Sequence, residues 1–136
     1  MSRTRGTPRR LESVQLDTEQ DLELWSVWVR RGNGSGLGYP RTAAGFADYL
    51  PRYPREPSEP LNVHRAESVD SAVRALPLLE RRVLAYLFVE GAPSWAKLAN
   101  LVCRDPELPA VTRHTAREIA ERGAARVETW LERAAA

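Results

Sequence analysis

The chain has 136 residues, a formal net charge of +2 and a pI near 9.0, and its length favours one domain with a modest core. The lone Cys103 excludes an internal disulfide, and with only two histidines it leaves too few ligands for a cysteine-rich zinc site, so we expect no metal and no cofactor. Neither an apolar run of roughly 18 residues nor a signal peptide is present, so we expect a cytoplasmic protein without a membrane partner.

Residues 1–17 are predicted to form a disordered arm, with all its basic side chains in the first ten residues. These side chains are Arg3, Arg5, Arg9 and Arg10. Such an arm can lie along a nucleic-acid backbone, or it can be a solvated tail. Nineteen of the twenty basic residues of the chain are arginines, which suit bidentate contacts to phosphate and guanine. A GC-rich coding sequence would produce the same bias.

Residues 18–136 are predicted to form a single all-α domain, because no stretch alternates apolar and polar residues as a strand does. The first helix is predicted to run from Thr18, as its N-cap, to Arg31. Trp25 lies on the apolar stripe of this helix. Trp28 lies at the edge of the stripe and is predicted to be exposed.

Two segments rich in glycine and proline follow the first helix. Residues 32–38 carry four glycines and predict a loop, and a short second helix over residues 41–50 completes the N-terminal helices of residues 18–50. Residues 51–65 contain four prolines and predict an extended, irregular connector. This long middle segment leads into the helices of residues 66–136.

Four more helices are predicted in the C-terminal half. The third begins near Ser68, the fourth covers residues 77–90, and the fifth covers residues 93–103. Gly91 is predicted to end the fourth helix in the left-handed conformation. Cys103 is predicted to pack as a small apolar residue at the end of the fifth helix.

The last helix is predicted over residues 112–133, with Thr112 as its N-cap. Its apolar residues recur at helical spacing and predict one buried face. They are Ala116, Ile119, Ala120, Gly123, Val127, Trp130 and Leu131.

No group of residues has the spacing of a catalytic site. The stretch GNGSGLG lacks the Lys-Ser/Thr that completes a phosphate-binding loop, and no strand precedes it. Cys103 and His114 lie eleven residues apart without a third member of a catalytic triad. We therefore expect that the protein is not an enzyme.

The last three predicted helices have the order of a helix-turn-helix, in which the final helix enters the major groove of DNA with its N-terminal residues. In this chain those residues are Thr112, Arg113, His114 and Arg117, opposite the apolar stripe. Arg113 and Arg117 are one helical turn apart and can pair with guanine. They are our candidates for binding double-stranded DNA. The same face can also be an ordinary solvated surface, because glutamates of the same helix balance its charge.

Three blocks of sequence carry a likeness to a known family. The first is LELWSVWVRRG with GLGYP and AAGFADYL, the second is SVDSAVRALP, and the third is RRVLAYLFVEGAPSWAKLANLV. In their order and spacing they resemble the late-gene transcription antitermination proteins of lambdoid-type phages, the Q family of the smaller, zinc-less kind. The third block is also similar to region 4 of bacterial sigma factors. The segment CRDPELPAV before the last helix is longer than the turn of that motif.

The resemblance implies a phage or prophage protein that acts at the nucleoid in the cytoplasm of a bacterial host. Members of this family bind a DNA element at a late promoter and engage RNA polymerase that is paused there with its sigma factor. They then suppress pausing and termination, at the channel where nascent RNA emerges. On this basis Trp28, Arg30, Arg31 and Tyr39 are candidates for a polymerase-binding surface. Two alternatives stay open, namely a sigma-like activator that acts only at initiation and a helical adaptor that does not bind DNA.

Overall fold

The computed structural model describes residues 11–32 and 62–135, in which helices are the regular secondary structure and no strand occurs. The helices are α1 (Leu16–Arg30), α2 (Val63–Arg74), α3 (Leu78–Leu84, continued by a π-helical turn over Ala85–Val89), α4 (Trp95–Arg104) and α5 (Arg113–Ala135). The predicted all-α class is confirmed for these residues. The predicted helix over 41–50 and most of the proline-rich connector lie outside them. None of the described helices is both long and apolar enough to cross a lipid bilayer.

Helix α1 begins at Leu16, so the prediction that Thr18 caps it is wrong. Gln15 occupies the N-cap position, and the Thr18 hydroxyl donates instead to Glu128 Oε2 of α5 at 2.8 Å. The preceding chain is also ordered back to Leu11, whose side chain is buried. The arm predicted for residues 1–17 is therefore too long, because its last residues pack against the folded domain.

Helix α2 begins at Val63, five residues before the predicted start at Ser68. The side chain of Asn62 caps it by accepting the backbone N–H of Arg65 at 3.0 Å. Ser68 lies inside the helix, where its hydroxyl donates to the carbonyl of His64 at 3.1 Å. A serine that bonds back along a helix resembles a cap in sequence, which explains the wrong boundary.

Helices α1 and α2 lie side by side and point in the same direction. Arg65 donates to both carboxylate oxygens of Asp21, at 3.1 and 2.6 Å, and further along both helices Trp25 Nε1 donates to Asp70 at 3.1 Å. Asp70 also accepts from Arg74 at 2.7 Å. Trp25 and Asp70 are both buried, so the hydrogen bond between them gives the indole N–H and the carboxylate a partner. Without a partner, the burial of each polar group would cost free energy.

Helix α3 ends in a π-helical turn that the sequence pattern did not indicate. The backbone N–H of Glu90 donates to Ala85 at 3.0 Å, and that of Ala92 donates to Tyr86 at 3.2 Å. Gly91 follows with a φ of +72°, which confirms the predicted left-handed residue at the end of the helix. The glycine lets the chain turn sharply into α4.

Helix α5 is the centre of the fold, because it contacts each of the other four helices. Its predicted apolar stripe is buried as expected, with Trp130 only partly so. Gly123 lies where α5 crosses α3, and a Cβ at this position would be 3.3 Å from Glu80 Cβ. Cys103 at the end of α4 is exposed, so the prediction that it packs there as a small apolar residue is wrong.

Candidate nucleic-acid interface

The N-terminus of α5 has the cap that the sequence predicted. Thr112 Oγ1 accepts the backbone N–H of Thr115 at 3.1 Å, and the Thr112 carbonyl accepts the N–H of Ala116 at 2.8 Å. Arg113 and His114 follow the cap and are both exposed, whereas Ala116 is buried. The first turn of α5 therefore directs its polar side chains to solvent while its apolar side is held by the core.

The candidate residues of this turn differ in their contacts. His114 Nε2 lies 3.1 Å from Glu118 Oε2, and both side chains are largely exposed. Arg113 makes neither an ion pair nor a hydrogen bond through its guanidinium within residues 11–32 and 62–135. The positive end of the helix dipole and the Arg113 cation thus lie together at one exposed helix end, an arrangement that attracts anions.

Arg117, the fourth candidate, is already paired. Its Nη2 lies 3.0 Å from Glu12 Oε2, and its Nε lies 3.7 Å from Glu121 Oε2. The guanidinium also lies 5.8 Å from the ring centroid of Trp95, the first residue of α4. Arg117 is therefore held by groups from three parts of the chain, in contrast to the solvated arginine expected from helical spacing.

Glu12 belongs to a segment that we call the strap, residues 11–15, which lies along α5. Glu121 holds it by accepting the backbone N–H of Glu12 at 3.0 Å and of Ser13 at 2.8 Å, and the Ser13 hydroxyl at 2.7 Å. Further along, Glu128 accepts the N–H of Gln15 at 2.9 Å. Burial opposes ionisation of Glu121, but these hydrogen bonds and Arg117 outweigh it, so the pKa of Glu121 lies below its ordinary value.

A shallow groove of about 550 Å³ lies between the strap and α5. Both signs of charge line it, since Arg117 and Arg122 occur there with Glu118 and Glu121. Mixed charge of this kind does not select an anion or a cation. The groove is therefore a weaker candidate for a ligand site than the exposed first turn of α5.

The long segment between α4 and α5 is fixed by a buried ion pair. Arg82 Nη1 of α3 donates to both carboxylate oxygens of Asp105, at 3.0 and 2.8 Å, and the Tyr86 hydroxyl donates to Asp105 Oδ2 at 2.7 Å. The N–H of Glu107 donates to Asp105 Oδ1 at 2.9 Å, as in an Asx turn. This network ties the start of the segment to α3, and so helps to set where α5 begins.

In this network Arg82 and Asp105 each stabilise the ionised form of the other. Burial opposes ionisation of Asp105, but the hydrogen bonds from Glu107, Tyr86 and Arg82 outweigh it and lower the pKa of its carboxyl. Burial and the hydrogen bond to Asp105 raise the pKa of the Tyr86 hydroxyl. The pair is consequently ionised, and Tyr86 is neutral, throughout the physiological pH range.

The residues suggested for a polymerase surface are not equally accessible. Trp28 is only 8% exposed, so the prediction that it is a surface residue is wrong, because its indole packs into the core with Trp25. Arg30 Nη1 donates to the carbonyls of Phe88 and Val89, both at 3.2 Å, and so caps the end of the π-helical turn.

The other predicted site residues divide into two groups. Arg31, a further candidate for the polymerase surface, is exposed. Tyr39 and the basic residues of the arm lie outside the described residues; the latter are Arg3, Arg5, Arg9 and Arg10.

Sequence reasoning missed the strap and the buried ion pair. Charged residues are usually exposed, so nothing in the local pattern indicated that Arg82 and Asp105 would be buried together. Asp105 precedes a proline, which is a turn signal, and this was the only local indication of its role. Exposed cations on α4, namely Lys97 and Arg104, were also missed, and neither forms an ion pair within the described ranges.

The exposed charges at the first turn of α5 suit electrostatic recognition of an anion. Among residues 11–32 and 62–135, no three His, Cys, Asp or Glu side chains are grouped so as to hold a metal ion. The comparisons with known proteins found no matching family model, no matching curated protein and no matching solved structure. The exposed first turn of α5, with the cations of α4 on a helix packed against it, is the best candidate site.

Proposed function

We propose that the protein is a phage transcription antitermination factor that binds a DNA element at a late promoter. In this proposal it loads onto paused RNA polymerase and suppresses pausing and termination at the RNA exit channel. The resemblance of its three sequence blocks to the Q family supports this function. The proposal that the protein binds DNA depends on one structural observation. The first turn of α5 is capped and exposed, and it directs Arg113 and His114 to solvent.

The packing of α5 supports a reading role for this turn. Major-groove readers need a helix whose N-terminal side chains are free while its other face is fixed by neighbouring helices. Helices α3 and α4 both contact α5, and the Arg82–Asp105 pair fixes the intervening segment. In the proposed complex Arg113 contacts a base edge or phosphate, and Thr112 and the helix N-terminus favour a phosphate.

A second candidate is an adaptor that binds proteins and no DNA. The observation that favours it is the pairing of His114 with Glu118 and of Arg117 with Glu12, since two of the four predicted DNA contacts have nearby carboxylates. An adaptor would show no salt-sensitive DNA affinity, whereas the affinity of a DNA-binding protein falls steeply as salt rises.

The decisive experiment is transcription in vitro with a bacterial host polymerase, on a template with a phage late promoter and a downstream intrinsic terminator. We expect the wild type to increase terminator readthrough. Arg113→Ala should reduce readthrough and weaken binding to the promoter DNA by about tenfold, because one specific arginine contact contributes roughly 1–3 kcal/mol. Arg133→Ala is the matched control, since Arg133 is an exposed arginine near the other end of α5.

The outcomes test the site and separate the candidate functions. Full readthrough by Arg113→Ala, with DNA affinity equal to that of Arg133→Ala, would reject the assignment of DNA binding to the first turn of α5. Increased initiation with unchanged termination would indicate a sigma-like activator. No effect of the wild type on either step, together with no DNA binding, would favour the adaptor.

A further inference from the structure

The strap is held on α5 by its backbone, and this leaves the Glu12 side chain free for another contact. The N–H groups of Glu12 and Ser13 both donate to the Glu121 carboxylate, and the Ser13 hydroxyl adds a third hydrogen bond to it. None of these bonds uses the Glu12 carboxylate. A change of that side chain should therefore leave the strap on α5.

The Glu12 carboxylate instead contacts Arg117, 3.0 Å away. Arg117 lies one helical turn after Arg113, so Glu12 places a negative charge beside the exposed first turn of α5. The Glu12 side chain is 77% exposed and that of Arg117 is 39% exposed. An ion pair this open to solvent contributes little to stability and is easily exchanged for another.

We propose that the strap is an autoinhibitory contact, in which Glu12 occupies Arg117 and DNA must displace it. The inference rests on the proposed DNA-binding function of α5. A carboxylate and a phosphate present similar pairs of oxygens to a guanidinium, so they compete for the same donors. This competition lowers the affinity of the resting protein for DNA of any sequence.

The test is a double-mutant cycle on the full-length chain with Glu12→Gln, Arg117→Ala and the double variant. The dissociation constant is measured for a fluorescent random-sequence DNA duplex at low and at physiological salt. Loss of one exposed ion pair changes affinity by a small factor, so we expect Glu12→Gln to bind about twofold to fivefold more tightly than the wild type. In the Arg117→Ala background the same change should have no effect. Glu67→Gln, an exposed glutamate on α2, is the control for net charge.

Several results would overturn the inference. If Glu12→Gln and Glu67→Gln increase the affinity for DNA equally, the effect is one of net charge. The same conclusion follows if Glu12→Gln still increases the affinity in the Arg117→Ala background. If Glu12→Gln lowers the unfolding temperature and leaves DNA affinity unchanged, the pair is only a stabilising contact. If neither the wild type nor any variant binds DNA, both the proposed function and the autoinhibitory contact are rejected. If the protein binds DNA but the effects of Glu12→Gln and Arg117→Ala are independent, only the autoinhibitory contact is rejected.

Discussion

Glu90 and Asp105 are both buried, but their surroundings shift the pKa values of their carboxyl groups in opposite directions. Burial raises the pKa of Glu90, which has no ion pair in the described part of the chain. Hydrogen bonds from Glu107, Tyr86 and Arg82 outweigh burial and lower the pKa of Asp105. Asp105 therefore contributes stability above its ordinary pKa that is lost as pH falls. Glu90 opposes folding once pH rises above its ordinary value.

Glu90→Gln should make the protein more stable at neutral pH, by an amount of the order of 1 kcal/mol. The amide has a similar shape and removes the penalty of ionising a buried carboxyl. Because the folded-state pKa of Glu90 is raised, the gain should shrink as pH falls through that raised pKa, and it should vanish below the ordinary value of 4.5. Thermal unfolding at several pH values measures this, and Glu67→Gln on the exposed surface of α2 is the control. A gain that does not depend on pH would contradict this account.

Individual residues were predictable where one local interaction decides their role. Thr112 and Gly91 were identified correctly, because a cap and a left-handed glycine depend on their immediate neighbours. Thr18 and Trp28 were not, because their surroundings are built by distant parts of the chain. Thr18 bonds to Glu128 of α5, and Trp28 packs into a core that several helices share.

Helices α5 and α3 pack closely against each other at Gly123. An added Cβ would lie 3.3 Å from Glu80 Cβ and 3.4 Å from Leu84 Cδ1, which is tight for carbon atoms. Arg122, beside this glycine, donates to Glu80 Oε2 at 2.7 Å. An ion pair between the two helices thus lies next to the glycine at their crossing point. The absence of a side chain at Gly123 thus sets how close the two helices lie.

Gly123→Val should lower the free energy of unfolding by about 1–3 kcal/mol, because the extra carbons must push α3 away from α5. The comparison is Ala125→Val on the same helix, where the side chain is only partly buried. That change should cost less than about 0.7 kcal/mol, the usual difference in helix propensity. Urea denaturation gives both values. Equal losses in the two variants would mean that the crossing tolerates a larger residue.

The helices could be predicted from the spacing of apolar residues, but their ends could not. Helix α5 was found because its apolar stripe repeats over about four turns, whereas the start of α2 was missed by five residues at Ser68. The π-helical turn over Ala85–Val89 has no pattern of its own. It is completed by Arg30, whose guanidinium bonds to its last carbonyls from another helix.

At the scale of the whole molecule, the first described residues and the last helix hold each other in place. Glu128 of α5 accepts from the backbone N–H of Gln15 and the hydroxyl of Thr18, at the start of α1. A carboxylate in this position both satisfies unpaired helix donors and complements the helix dipole. The strap extends the same contact to Glu121.

Glu128→Ala should destabilise the protein by about 1–2 kcal/mol, because two donors at the start of α1 lose a charged acceptor. Glu132→Ala, one turn further along α5, is the matched control, since Glu132 is exposed. Thermal unfolding compares the stabilities, and amide hydrogen exchange at residues 15–18 reports the local loss. If exchange at these residues stays slow in Glu128→Ala, the carboxylate does not hold α1 in place.

The sequence predicted which residues of α5 are exposed at the candidate site, but it did not predict the contacts that they make. Helical spacing correctly placed Arg113 and His114 on the exposed side of α5. It could not show that Glu12 would neutralise Arg117, because the two residues are far apart in the sequence and no local rule connects them. The sequence identified the residues of the site, but only the folded structure shows which distant residues contact them.

The contact between the strap and α5 also has a consequence for the order in which the protein is made. Its hydrogen bonds join residues 109 and 113 positions apart, so the strap must wait until α5 has been synthesised. Helices α1 to α4 all bury residues against α5 as well. A nascent chain that lacks α5 thus exposes the apolar faces of four helices, the condition under which chaperones bind or chains aggregate. Completion of α5 covers these faces and, in the same event, brings Glu12 to Arg117.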